Sequence, residues 1–512
     1  MIRGILTVGG WTMASRILGF VRDIMIASSL GAGLVADAFF VALRLPNLFR
    51  RLFGEGAFNA AFVPQFSEIL SVSGRVAARR FATEAFSVMA FWLSLVTLLG
   101  MGAMPWVVTV IAPGFAAIPE KFALAVELSR ITFPYLVLIC MAALASGMLN
   151  ALDRFAAASA TAVLFNVTLI AALLGLTPLV ATGGHALAWG VTVSGVLQLG
   201  LLLVAAHRAR FGLRLTWPWP TAAIRRLLRK MGPGVVGGGV TQLNLAVDVV
   251  IASLLPAGTV SLLYYADRIQ QLPLGVIGTA IGTALLPSLS RQVSVGNDAQ
   301  ALVTQNRAIE FALILTLPAA AALIVIPWAI IWTLFGRGAF DAESARLTAQ
   351  ALAAYAVGLP AFVLIKVLSP GFFARGDTGT PVKVAMATVV AHLAMNLAFM
   401  RPLGHLGPPL ATSLASILTT AWLWVLLVRR GHLKTDRRLI TRVIRLVPAV
   451  GVMAAALWGM QAWLFRPDLG GTMRLVVLTG MIWVGLGLYA VALRLFGVID
   501  LREMLGAIRR RT

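Results

Sequence analysis

The chain has one cysteine, Cys140, in 512 residues. No disulfide can form within it, and a small apolar packing residue is its simplest role. Histidine is also scarce, and His185, His207, His392, His405 and His432 are dispersed with no metal-ligand spacing. No Gly-Lys-Ser/Thr phosphate loop is present, because Gly237-Gly238-Gly239 lacks the lysine and opens an apolar stretch. Neither a Ser-His-Asp arrangement nor a paired-carboxylate site is suggested, so no enzyme is expected. Acid is short against base, with 19 Asp and Glu to 42 Lys and Arg and a net charge of +23. Charge of either sign makes up only 12% of residues, while 59% are apolar. Soluble domains run at about 25% charged and about 45–50% apolar. A soluble fold with a very large core would need more polar surface than this, so the chain reads as an all-α polytopic membrane protein. Met1 to Leu30 is basic and apolar, but Arg16, Arg22 and Asp23 interrupt it and no small-residue cleavage site follows. A retained first helix is expected rather than a signal peptide.

What the sequence has in abundance is long apolar runs. Fourteen spans are predicted, at 5–30, 34–55, 84–106, 130–150, 156–177, 184–205, 235–256, 262–286, 309–332, 347–369, 382–400, 408–428, 443–465 and 474–497. Most can cross a hydrocarbon core that needs about 20 apolar residues. The N-terminus, the even-numbered loops and the C-terminal tail, with their span ends, hold 28 of the 42 basic residues, the opposite side holds 7, and 7 lie inside spans. The positive-inside rule then places both termini in the cytoplasm. Most of the net charge is topological rather than a footprint for nucleic acid, and no nucleic-acid partner is expected.

The chain repeats itself weakly at a steady offset. Leu45-Pro46 recurs as Leu272-Pro273, Pro134 as Pro360, Gly147 as Gly371 and Asp153 as Asp377, at offsets of 227, 226, 224 and 224. Phe62-Val63-Pro64-Gln65-Phe66-Ser67 is echoed by Leu285-Leu286-Pro287-Ser288-Leu289-Ser290. The offset covers six spans, an even number, so both copies have one orientation. That predicts two six-helix lobes related by a pseudo-two-fold along the membrane normal, with a pathway between them and alternating access by rocking. The expected organisation is an N-terminal lobe at 1–206, a basic cytoplasmic linker at 207–232, a C-terminal lobe at 233–430, and helices 13 and 14 with a basic tail at 431–512. Thr221 to Lys230 reads as a short amphipathic helix on the inner surface, a tether held by anionic lipid.

Arg16, Arg22, Arg44, Arg50, Arg51, Arg268 and Lys366 sit inside stretches that otherwise read as membrane helix. A cation at bilayer depth costs about 2.5–3.5 kcal/mol on insertion scales, so such residues generally face a watery cavity and handle charge; here they point to an anionic cargo. Arg16 and Asp23 lie seven apart on one helix face, with Arg22 displaced by about 120°. Asp37, Arg44 and Arg51 form a polar stripe spaced by seven, Arg50 sits beside it, and Glu55 is four beyond Arg51. Two readings stand for Arg44, a neutralised structural pair with Asp37 or a functional site. Arg51 and Lys366 lie near span ends, where snorkelling to the interface is the competing reading. Arg16, Arg22 and Arg268 lie too deep for that, and a functional role is expected of them. Asp248 lies mid-span with Asn244 four residues earlier, which suits a hard cation or a proton relay; the other reading is a partner for an arginine.

Several runs resemble one family. Ser15-Arg16-Ile17-Leu18-Gly19-Phe20-Val21-Arg22-Asp23, Ala36-Asp37-Ala38-Phe39-Phe40, Leu45-Pro46-Asn47-Leu48-Phe49-Arg50-Arg51 and Gly54-Glu55-Gly56-Ala57-Phe58 are similar to the opening of the MurJ (MviN) lipid II flippases. Tyr264-Tyr265-Ala266-Asp267-Arg268, Leu285-Leu286-Pro287-Ser288 and Lys366-Val367-Leu368-Ser369-Pro370 extend the likeness, which thins over the last hundred or so residues. The family belongs to the multidrug/oligosaccharidyl-lipid/polysaccharide exporter superfamily, with fourteen helices in two lobes and a final pair. The resemblance implies a flippase that moves lipid II, the undecaprenyl diphosphate-linked disaccharide peptide of cell-wall peptidoglycan biosynthesis, to the outer leaflet of the bacterial cytoplasmic (inner) membrane. It implies substrate-binding roles for Arg16, Arg22, Asp23, Asp37, Arg50 and Arg268, with Arg44, Glu55 and Lys366 as further substrate or gating residues. Gln271 stands where several relatives carry an acid. A sodium ion coordinated by Asp248 and Asp377 is implied by some members. The partners expected are lipid II and membrane lipids, and the chain is expected to act as a monomer. The alternative is export of another lipid-linked oligosaccharide. A drug-cation exporter would need acids where arginines stand, and a polyprenyl-diphosphate enzyme would need metal-binding carboxylate clusters. Helices 13 and 14, outside the repeat, are expected to hold the polyprenyl tail, against the simpler reading of a packing appendage.

Overall fold

The computed structural model describes residues 2–50, 57–466 and 468–498. Arg51 and Glu55 lie outside the described residues. Two compact units are present: one runs to Ser261 and takes in Arg337–Phe340, and the other holds Leu262–Gly336 and the residues from Asp341 on. The first contains α1 (Ile2–Leu30), α2 (Leu34–Phe49), α3 (Ala57–Gly102), α4 (Met104–Ile111), α5 (Pro119–Thr132), α6 (Tyr135–Ala151), α7 (Phe155–Gly175), α8 (Gly183–Arg208) and α9 (Ala222–Ser253). Next, α10 (Thr259–Ser294) leads into the second, with α11 (Asp298–Val325), α12 (Pro327–Phe335), α13 (Ala342–Val357), α14 (Leu359–Phe373), α15 (Gly379–Leu403), α16 (Gly407–Arg429), α17 (Arg437–Leu464) and α18 (Gly471–Leu495). The fold is all-α and membrane-spanning, as expected. Among the described residues ten helical stretches are long and apolar enough to cross a bilayer, and one of them, Gly379–Arg429, supplies both α15 and α16. The expected spans outside these ten fall on α1, α2 and α9, the helices that carry Arg16, Arg22, Asp23, Asp37, Arg44 and Asp248.

Proline marks the same interruption in both copies of the repeat. Pro134 separates α5 from α6, and Pro360 lies in the first turn of α14, just after the break from α13. A residue without an N–H is tolerated at a helix start, where that donor has no partner in any case. The fourth and tenth spans therefore begin earlier than hydropathy placed them, at Pro119 and Ala342.

Residues 57–83, expected as a loop followed by a span, are helical, and they reverse at Gly74, which has φ 80°. Phe62 and Phe81 show the reversal, with ring centroids 5.5 Å apart. Nineteen residues of straight helix would separate them by about 28 Å. Phe58, Phe62 and Phe66 stack along one face at 5.1 and 5.7 Å. That face explains the aromatic half of the repeat motif.

The linker is not a free tether. Phe211 is fully buried, lies 6.0 Å from Phe66 and sits under the Arg75 guanidinium at 4.6 Å. Arg79 donates to the Gly212 carbonyl at 3.0 Å and Thr216 N–H to Ser87 Oγ at 2.8 Å. Thr221 caps α9 and also donates to Glu84 at 2.9 Å. The expected amphipathic helix is the first part of α9, continuous with the seventh span and packed on α3. Packing therefore draws the unit boundary near residue 261, later than the repeat does at 233.

The last pair, α17 and α18, packs on α11 and α12. Tyr489 donates to the Ile314 carbonyl at 2.6 Å, and Arg474 lies over the Trp332 ring at 4.9 Å. At the start of α17 the carboxylate of Glu310, 5% exposed, collects Arg307, Arg438 and Arg442, while Asp436 takes Arg307. Hydropathy did not reveal this network, since Glu310 sits at the very start of a predicted span. The appended helices are thus anchored by charge at one end and by apolar contact along their length.

Candidate functional site

On α1, Ser15, Gly19 and Arg22 turn one face toward α7. Arg22 donates from Nε and Nη2 to Asp23 Oδ1 at 3.0 and 2.7 Å, and from Nη1 to Asn166 Oδ1 at 2.8 Å. Asn166 donates in turn to the Ser15 and Ala162 carbonyls, both at 3.0 Å. Arg22 and Asp23 are 4% and 3% exposed. Neighbouring residues on a helix do not normally face each other, and here the guanidinium folds back because Asn166 and the Phe165 ring, 5.5 Å away, fix its far side. Arg16 has another environment. It is exposed at the middle of α1, and among the described residues it has no carboxylate partner.

Asp37, on α2, is fully buried. It accepts from Lys121 Nζ at 2.6 Å, Gly258 N–H at 2.7 Å, and Ser261 N–H and Oγ at 2.8 Å each. Lys121 is 2% exposed and lies 4.0 Å over the Phe115 ring. One carboxylate thus ties α2 to α5 and satisfies N–H groups at the start of α10, where a negative charge also suits the helix dipole. Gly258 has φ 93°, and a Cβ there would meet the Ala32 carbonyl oxygen at 2.7 Å, so glycine is required for this close approach.

Of the residues expected to bind substrate, Arg22, Asp23 and Asp37 are buried in this structure and their contacts hold helices together. Asp37 does not neutralise Arg44 either. Arg44 is half-buried, and its one hydrogen bond among the described residues goes to the Leu245 carbonyl of α9 at 3.4 Å. Arg50, at the end of α2, donates to Asn47 Oδ1 at 3.2 Å. In the second unit, Arg268 donates to the Tyr264 hydroxyl at 3.2 Å and lies 5.2 Å over its ring. Gln271 donates to Asp267 at 3.3 Å. Lys366 is exposed on α14, makes no ion pair among the described residues, and lies against Gly278 of α10. A Cβ at Gly278 would come within 2.9 Å of the lysine chain, so the glycine makes room for it.

The acids that helix geometry offered as counter-charges are therefore committed elsewhere, Asp23 to Arg22 and Asp37 to Lys121. Among the described residues, Arg16, Arg44 and Lys366 are left inside spans without a carboxylate partner. Lys121 and Asn166 were the residues that sequence reasoning missed. Lys121 lies ahead of the predicted fourth span, among the basic residues of the opposite side, and the available signal was that a buried Asp37 needs a cation from another helix.

The residues proposed for sodium divide. Asp377 accepts from Thr380 N–H at 2.9 Å and from Arg430, and Arg430 also donates to the Thr380 hydroxyl at 2.9 Å. Thr380 and then Arg430 hold its carboxyl well below the usual range. It therefore stays ionised at physiological pH, but bound to an arginine that a metal ion would have to displace. A sodium role for Asp377 does not fit these contacts. Asp248 is half-buried on α9, with Asn244 one turn earlier, and an oxygen pair of this kind suits a hard cation. Among the described residues no cluster of three or more His, Cys, Asp or Glu could hold a metal.

The family described as Lipid II flippase MurJ matches residues 26–475. A probable lipid II flippase MurJ of Rhizobium tropici is 42% identical over 521 residues, covering 100% of this chain and 96% of that protein. One from Rhizobium meliloti (strain 1021) is 44% identical over 497 residues, covering 96% and 92%. The lipid II flippase MurJ of Burkholderia cenocepacia is 36% identical over 467 residues, covering 90% of each. Among solved structures, a lipid II flippase MurJ in an inward closed conformation superposes with TM-score 0.82 at 24% identity, over 98% of this chain and all of that one. An inward-facing multidrug resistance transporter of the MATE family gives 0.67 at 14% identity, over 81% and 95%. At those identities the structural likeness is one of fold.

Proposed function

The chain belongs to the lipid II flippase MurJ family, and from that premise we propose that it carries the lipid-linked peptidoglycan precursor from the inner to the outer leaflet of the bacterial cytoplasmic membrane. The observation that carries this reading is the set of intramembrane cations that have no counter-charge among the described residues, Arg16, Arg44 and Lys366. Each would cost about 2.5–3.5 kcal/mol in hydrocarbon, and an anionic cargo removes that cost while it is bound. Lipid II offers a diphosphate and peptide carboxylates. A guanidinium meets a phosphate through two parallel N–H bonds and keeps its charge at every physiological pH, so it can replace the diphosphate's water. Arg50 and Arg268 add two further guanidinia, Arg268 held in place by Tyr264. Arg22, Asp23, Asp37 and Lys121 act by position, fixing the helices that present the free cations. Both termini are cytoplasmic in this reading, and transport proceeds by alternating access.

Asp248 is the coupling carboxylate in this scheme, taking up sodium or a proton. An ion drives a conformational change only through unequal affinity for the two states. Asp248→Asn is therefore expected to abolish the sodium or pH dependence of flipping in a reconstituted assay. Unchanged dependence would reduce Asp248 to a structural residue.

The α17–α18 pair is proposed to carry the polyprenyl chain along its apolar surface, where Ile444, Val447, Trp458 and Trp483 are 63–70% exposed. Truncation before Thr441 should leave a protein that inserts but flips lipid II poorly. Glu310→Gln separates tail binding from mere anchoring: it loosens the charged end of α17 while leaving the apolar surface in place. It should retain most activity, and loss as complete as that of the truncation would favour the anchoring role.

A further inference from the structure

A second charged site lies in the first unit. A cavity of about 500 Å³ opens between the start of α1, the turn from α6 to α7 and the end of α8. Thr7, Asp153, Arg154, Phe155, Leu201 and Arg208 are among its lining. The turn is fixed, with Asp153 at φ 59° and Arg154 N–H donating to the Leu149 carbonyl at 2.9 Å. Among the described residues neither Arg154 nor Arg208 has a carboxylate within ion-pairing distance, Asp153 included. An apolar track leads away from the cavity. Val193, Leu197, Gly200 and Val204 share one face of α8 and are exposed, Val193 by 43%, Leu197 by 45% and Val204 by 52%. The track is about 16 Å long and ends at Arg208.

We propose that this cavity binds the headgroup of an anionic phospholipid of the inner leaflet, a phosphodiester carrying a neutral, hydroxyl-bearing group such as glycerol, with an acyl chain along α8. Two arginines and one aspartate leave a single positive charge, which one phosphodiester neutralises. Asp153 accepts from a headgroup hydroxyl, and the size suits a headgroup. Basic pockets between membrane helices on the cytoplasmic side are recognised sites for anionic lipid. The choice of leaflet rests on the orientation proposed above.

Native mass spectrometry of the purified full-length protein tests the proposal, with phosphatidylglycerol, phosphatidylethanolamine or inorganic phosphate added in turn. Phosphatidylglycerol should be retained in preference to the other two. The double variant Arg154→Gln/Arg208→Gln should bind it about thirty-fold more weakly, at roughly fivefold per arginine, and melt as the native chain does, because neither side chain has a protein partner to lose. Equal retention of phosphatidylethanolamine, equal stabilisation by phosphate alone, or native affinity in the double variant would each overturn it. Orientation is read separately. Asp153→Cys should react with a membrane-impermeant maleimide in inverted vesicles only, against a quiet background because Cys140 is buried. Reaction from the outside would overturn the leaflet assignment while leaving the lipid preference to stand or fall on its own measurement.

Discussion

Asp37→Ala should destabilise the first unit by about 3–5 kcal/mol, the range for breaking one side of a buried ion pair. The substitution leaves Lys121 charged, 2% exposed and without an acid, with only the Phe115 ring for compensation. It also strips the N–H groups of Gly258 and Ser261 of their acceptor at the start of α10. Lys121→Ala should be milder, because the carboxylate keeps three of its four hydrogen bonds, those from Gly258 and Ser261. The pair Asp37→Asn with Lys121→Met should recover part of the loss, since an apolar isostere of a buried pair is often nearly neutral. Thermal unfolding of the purified variants decides the matter. An Asp37→Ala protein that melts with the native chain would remove Asp37 as the tie between α2, α5 and α10.

The largest effect on transport should come from the cations that have no carboxylate. Arg16→Ala and Lys366→Ala should each slow flipping by about tenfold to a hundredfold, the loss of one charge-assisted contact of about 1.5–3 kcal/mol. Their stability should be unchanged, since nothing in the protein is left unpaired. Arg16→Lys should recover only part of the rate, because an ammonium is a point charge without the planar fork. Arg22→Ala should behave differently and lose stability and transport together, because Asp23 and Asn166 each lose a buried charge-assisted hydrogen bond. Reconstituted flipping measured beside melting separates the two classes. If Arg16→Ala destabilises as much as Arg22→Ala, the division between free and structural cations is wrong.

Much of the fold was legible in the sequence, because hydropathy reports directly on membrane crossing. The repeat was legible too, down to the proline that interrupts the same helix in each copy. Pairing was not. Helix geometry gives a residue's neighbours on its own helix, so it offered Arg44 as the partner for Asp37, and for Asp23 no more than a cation on its own helix or the next. The true partner of Asp37 comes from α5, 84 residues on, and that of Asp23 is the adjacent Arg22, folded back by an asparagine on α7. No periodicity encodes either contact. The linker shows the same limit. Its basic residues read as a lipid-facing tether, while Phe211, the residue that docks it on α3, gave no sign in sequence of having a pocket. For Asp377 the family resemblance implied a sodium ligand, but Arg430 occupies its carboxylate from another helix.

The central claim is that the exposed intramembrane cations exist to meet an anionic lipid-linked cargo and carry it across. Depleting the protein in its own host and locating lipid II by leaflet tests this most directly. The account predicts that lipid II accumulates on the cytoplasmic side, shielded from an externally added enzyme that cleaves it. It also predicts that native protein restores cleavage and Arg16→Ala protein does not. Lipid II that remains as open to the external enzyme after depletion as before would contradict it.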